Sequence, residues 1–131
     1  MVNSEKEALR YFADILIKNI GGFAFSKCWI RMKRQIRMTS YGAFYVDEFG
    51  KEMRVLIEND DDLYTAIEEL YTITQTQPPI HKDWNRAVFT LYPDGKVNME
   101  YIFDAEWQAE VDADAAKINA KIRAAQKARE T

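Results

Sequence analysis

The apolar residues of this chain repeat at helical spacing, then at strand spacing, then back again, and that alternation decides what it can fold into. Ser4 with Glu7 three residues on forms a capping box, in which side chains satisfy the orphan backbone donors of a helix start. Leu9, Phe12, Leu16 and Ile20 follow at helical spacing, and Gly21-Gly22 stops the run. A helix over residues 4–20 is expected, with one apolar stripe facing a sheet. Phe23, Phe25 and Trp29 then alternate with smaller or polar residues, as a strand requires. Residues 27–37 are basic, with a turn expected near Lys33-Arg34. Residues 38–46, rich in Tyr41, Phe44, Tyr45 and Val46, read as a second strand. Asp47-Glu48-Phe49-Gly50 suits a type I turn, and residues 51–57 return as a third strand.

Asp60, Asp61 and Asp62 open a second helix, where one can cap and all suit the positive helix end. Leu63, Ile67, Leu70 and Ile73 make its buried stripe, and Pro78-Pro79 ends it within a loop over 76–83. Residues 87–92 and 96–103 form a hairpin around Tyr92-Pro93-Asp94-Gly95, placing Val88 or Phe89 against Met99 or Tyr101. The last stretch, 106–129, is alanine-rich and favours helix, with Val111, Ala115, Ile118, Ile122 and Ala125 tracing a seam. Beyond Ile122 little is left to bury, so residues 123–131 are expected to fray. Adjacent strands favour antiparallel pairing. The expected class is α+β: an antiparallel sheet of about five strands packed against helices, in the order helix-strand-strand-strand-helix-strand-strand-helix.

At 131 residues, 47% hydrophobic and 30% charged, the chain suits a single globular domain over 1–131. Cys28 is the sole cysteine, so no intrachain disulfide can form, and no leader-type apolar segment follows the polar first residues. A reducing, cytoplasmic location is the expectation. No apolar run approaches the ~20 residues that cross a bilayer, so no membrane partner is expected.

The residues that could carry chemistry each have a plainer reading. His81 lies in the loop after Pro78-Pro79 without a nucleophile or further ligands nearby in sequence. Cys28 sits among bulky neighbours in a strand, as a packed thiol does. Asp60-Asp61-Asp62 would serve a metal-dependent hydrolase only if the three converged, but consecutive residues at a helix start diverge, and no calcium-loop pattern follows. Pro93-Asp94 with Lys96 faintly echoes a nuclease motif that a hairpin turn explains fully, and Gly21-Gly22 lacks the spacing and lysine of a phosphate loop. The expectation is a protein that is not an enzyme, with no catalytic residues, no metal ligands and no cofactor.

Charge is more informative. The net charge is −3, but Glu58, Asp60, Asp61, Asp62, Glu68 and Glu69 form one block without a base. Glu100, Asp104, Glu106, Glu110, Asp112 and Asp114 form another. Bases gather at Lys27, Arg31, Lys33, Arg34 and Arg37, and in the last helix. Each block alone reads as a solvated face; two blocks would speed association with a basic partner and disfavour nucleic acid. Glu58, Asp60, Asp61, Asp62, Asp104 and Glu106 are the expected charge contacts, with Tyr64 and Trp107 as aromatic anchors. Trp84 is an anchor candidate that core packing explains equally well. The basic segment from Lys27 to Arg37, with Trp29 and Tyr41, offers an alternative: an RNA-binding or regulatory module. Protection of an exposed sheet edge by lysine and arginine is the preferred reading of that segment.

One stretch carries a family resemblance. Trp84 precedes the alternating Ala87-Val88-Phe89-Thr90-Leu91, then the turn Tyr92-Pro93-Asp94-Gly95-Lys96, then a strand that closes on Tyr101-Ile102-Phe103-Asp104. This resembles the C-terminal signature of the YezG-like immunity proteins, small bacterial antitoxins. The resemblance implies a protein that binds and neutralises a cognate toxin, often a nuclease domain used against neighbouring bacteria, so that the partner would be a toxin C-terminal domain with a basic surface. The basic strand region and the long alanine-rich helix depart from that family's pattern, which leaves the toxin class and the docking face open, as is the oligomeric state.

Overall fold

The computed structural model describes residues 2–36, 38–76 and 81–129. Helix α1 spans Glu5–Ile20; strands β1 (Lys27–Gln35), β2 (Met38–Val46) and β3 (Glu52–Arg54) follow; helix α2 spans Asp61–Thr76; strands β4 (Arg86–Leu91) and β5 (Val97–Ile102) lead into helix α3 (Ala105–Arg129). The class is α+β, with the element order read from the sequence. All neighbours in the five-stranded sheet are antiparallel, in the order β3-β2-β1-β4-β5.

The first helix forms as its ends dictate. Ser4 Oγ accepts the Glu7 backbone N–H, Glu7 reaches back to the Asn3 N–H, and Gly21 closes the helix in the left-handed region. Ala8, Phe12, Leu16 and Ile20 are its buried stripe. On α2 the stripe is Leu63, Ala66, Ile67, Leu70 and Thr74. The two helices pack on one another and on one face of the sheet, covering Cys28, Ile30, Met32, Ala43, Ala87 and Phe89 in one core. The β4–β5 hairpin pairs Phe89 with Met99 and turns through Gly95, whose positive φ glycine adopts freely.

Several expectations need correction. Phe23 and Phe25 lie in the connection before β1, not in a strand, and Phe23 is exposed. No turn falls at Lys33-Arg34; β1 continues unbroken to Gln35, and the hairpin closes after it. The third strand is confined to residues 52–54, although the Val55 N–H still donates to the Ala43 carbonyl. Most consequentially, β1 is the central strand, paired with β2 on one side and β4 on the other. Its bases therefore protect no edge. Pro78-Pro79 and Arg37 lie outside the described residues.

Candidate functional site

With α1 and α2 on one face of the sheet, period-2 alternation sends Lys27, Trp29, Arg31, Lys33 and Gln35 to the other face. Arg34 points the opposite way, into the helical layer, where it pairs with Glu68 at 2.9 Å and lies 3.6 Å over the Tyr71 ring. The continuous basic segment of the sequence is thus divided between two faces. On the open face Trp29 stacks on Phe44 at 5.7 Å, with Lys27 over Trp29 and Arg31 over Phe44, each at 5.2 Å. Trp29 is only 8% exposed, because its own neighbours cover it. Cations over ring faces are attracted by the ring quadrupole. Tyr41 belongs to the helix-side face and does not join this cluster.

The second acidic block begins at the end of this open face. Asp104 caps α3 by accepting the Trp107 backbone N–H, and its carboxylate lies 2.8 Å from the Arg86 Nε. Asn85 holds it further, donating to the Asp104 carbonyl and accepting the Asp104 N–H. The Trp107 N–H, and then the Arg86 charge, hold the Asp104 carboxyl below the usual carboxylate range against partial desolvation. Trp107 is half-buried beneath Lys33 and Arg86, and Gln108 bonds Gln35. Glu106 is exposed. Asp104 and Trp107 therefore already have internal partners that fasten α3 to the sheet.

The first block divides too. Asp60 precedes α2, its carbonyl accepting the Leu63 and Tyr64 N–H groups, while its carboxylate accepts the Tyr41 hydroxyl at 2.6 Å. Burial, then that hydrogen bond, push the Tyr41 hydroxyl upward. Tyr64 packs edge-on against Tyr41 and keeps part of its ring exposed. Glu68 is tied to Arg34 and Thr39. Glu58, Asp61 and Asp62 remain exposed. The two acidic blocks do not merge: one sits in the helical layer, the other where α3 leaves the sheet.

A groove between α1 and α2 brings acids together that are far apart in sequence. One section, about 340 Å³, is lined by Val2, Glu7, Arg10, Tyr11, Asp14, Asp62, Ala66 and Glu69. An adjoining section shares Tyr11, Asp14 and Asp62 and continues along Lys18 and Asn19 to Glu58. Five carboxylates (Glu7, Asp14, Glu58, Asp62, Glu69) thus face two cations, Arg10 and Lys18. Glu69 accepts the Val2 N–H and Asn19 accepts the Glu58 N–H, which fixes both ends. Burial and the nearby Asp62 charge raise the Tyr11 hydroxyl. Of the expected contacts only Glu58 and Asp62 line this groove. The α1 contribution was not foreseen, though Glu7, Arg10, Tyr11 and Asp14 share one helix face by spacing.

The remaining candidates are accounted for by packing. Trp84 is 2% exposed and donates to Thr74, so it is a core residue and not an anchor. Cys28 is fully buried, and burial pushes its thiol up to about 12. His81 is exposed and stacks on Tyr101 at 4.1 Å. Among the described residues no group of three or more His, Cys, Asp or Glu is placed to hold a metal, and no helix is long and apolar enough to cross a membrane. No protein-family model and no curated protein matches the chain.

Proposed function

We propose that this chain is an immunity-type protein that binds and neutralises a cognate bacterial toxin domain by forming a stoichiometric complex, with no catalytic step of its own. What carries the reading is the α1–α2 groove, where five carboxylates face two cations along one continuous concavity. Such a field raises the encounter rate with a basic surface, as a nucleic-acid-cleaving toxin would present, and fixes its approach. Tyr11 and Asp62 at the centre supply a ring and a charge for the contact, while Arg10 and Lys18 would pair with acids on the partner's rim.

The test pairs the chain with the C-terminal domain of a toxin encoded beside it, measuring co-purification, protection of cells and association kinetics. Asp14→Lys combined with Asp62→Lys should slow association at low salt, with the difference shrinking as salt rises. A toxin that neither co-purifies nor is neutralised would sink the proposal; an unchanged, salt-insensitive on-rate would move the contact off this groove.

One observation favours a second reading. Lys27, Arg31 and Lys33 share the open sheet face, held over aromatic rings as a row of cations that could track a phosphate backbone. Binding of single-stranded RNA that weakens steeply with salt, and is lost in Arg31→Glu, would support it. No retention on RNA or heparin at low salt would remove it.

A further inference from the structure

Helix α3 runs 25 residues, about 37 Å at 1.5 Å per residue, and buries none of them fully. Its first turn is fastened to the sheet by Trp107 and Gln108, but from Asp112 to Arg129 every described residue is exposed. A helix this exposed gains little from packing and is only marginally stable in water, so its surface pattern indicates what it is built to meet. Two patterns coincide on it. Val111, Ala115, Ile118, Ile122 and Ala125 follow the alternating four- and three-residue steps of a heptad seam, with Ile118 58% and Ile122 50% exposed.

The second pattern is charge. Glu106, Glu110, Asp112 and Asp114 occupy the first part of the helix, and Lys117, Lys121, Arg123, Lys127 and Arg129 the second. The helix dipole accounts for such a bias only within the first and last turns, whereas Asp112, Asp114, Lys117 and Lys121 lie mid-helix. Segregation also sets like charges four residues apart, at Glu106–Glu110, Glu110–Asp114, Lys117–Lys121 and Arg123–Lys127, which disfavours the lone helix. An oppositely running copy of the same helix lays the acidic first part alongside the basic second part.

We propose that α3 is a self-association surface that pairs with α3 of a second copy of this chain as an antiparallel two-stranded coiled coil. The heptad fixes the register. Val111 meets Ile122 of the second copy and Ala115 meets its Ile118, which sets Asp114 beside its Lys121 at the seam's flank. The overlap then centres on the exposed stretch from Val111 to Ile122, beyond the first turn that rests on the open sheet face, and so lies away from the α1–α2 groove on the helical side. This pairing uses a surface apart from the proposed toxin contact and stands or falls independently of it.

Analytical ultracentrifugation of the full chain over a concentration series tests the pairing. The mass should rise reversibly from one chain toward two. Ile118→Asp with Ile122→Asp should hold it at one chain, with the sheet's near-ultraviolet spectrum unchanged because neither residue touches the core. Asp114→Lys alone, or Lys121→Asp alone, should raise the dissociation constant about tenfold, since each dimer carries the contact twice and attraction becomes repulsion. The double exchange should restore it, as the antiparallel register requires. A chain that stays at one copy at every concentration overturns the proposal. So does a dimer indifferent to the isoleucine variants, or a double exchange that fails to rescue.

Discussion

Thr74 is fully buried on α2 at a position where the helical period calls for an apolar side chain, and Trp84 is the reason. The indole Nε1–H donates 2.8 Å to Thr74 Oγ1, while that hydroxyl bonds the carbonyls one turn back on its own helix. A buried indole needs such an acceptor, because an unmet donor costs its full desolvation. Thr74→Val keeps the shape and removes the acceptor, so it should destabilise the fold by about 1–3 kcal/mol, read from urea unfolding. Asp104 makes a different prediction. Its carboxyl is held below the ordinary range, so the unfolded chain takes up this proton at a higher pH than the folded one. The contribution is complete above the unfolded carboxylate range and is lost as pH falls through it toward the folded value. Asp104→Asn, which keeps an acceptor for the Trp107 N–H, should narrow the gap in melting temperature between neutral and acid pH.

At the scale of elements, α3 divides into a fastened first turn and a remainder that is exposed from Asp112 to Arg129. Cutting the chain after Val111 removes a stretch whose described residues, 112–129, are all exposed, and should change stability by about 0.5 kcal/mol or less in dilute solution. Cutting before Asp104 removes the cap, the Arg86 partner and the Trp107 ring, and should cost several times more in the same melting assay. The helices and the β4–β5 hairpin were legible in the sequence because they rest on local signals (the Ser4–Glu7 box, the Gly21 stop, the Gly95 turn), whereas the bounds of β1 and β3 were not. The order of strands was not. Placing β1 in the centre depends on its pairing with β4, which α2 separates from it in the chain, and no local pattern encodes that crossover. For the same reason the basic segment misled: its charges alternate across a central strand, so Arg34 and Lys33 serve opposite faces. The groove was half legible. Glu58 and Asp62 stand out as acids, while Asp14 joins them only once α1 lies against α2.

Across the whole molecule, charge and stability follow the same division into layers. The helical layer presents an acidic concavity, the open sheet face presents bases resting on aromatic rings, and the core between them is a single apolar cluster. Cys28 lies inside that core on the central strand, paired with Tyr45 of β2 and Leu91 of β4. Exposing its sulfur requires β1 to part from a neighbour or from the helices above it, and each of those separations opens the shared core. Its thiol, pushed up to about 12 by burial, is also almost wholly protonated at neutral pH and so a poor nucleophile while the fold is intact. Reaction with an aromatic disulfide reagent should therefore be slow in native buffer and accelerate with urea in step with the loss of tryptophan fluorescence. Equal free energies from the two readouts would mean that the β1 core opens only in global unfolding. A labelling rate that stays flat through low urea would instead reveal a local opening at the β1–β4 seam, and the core would then consist of two separable halves joined at the central strand.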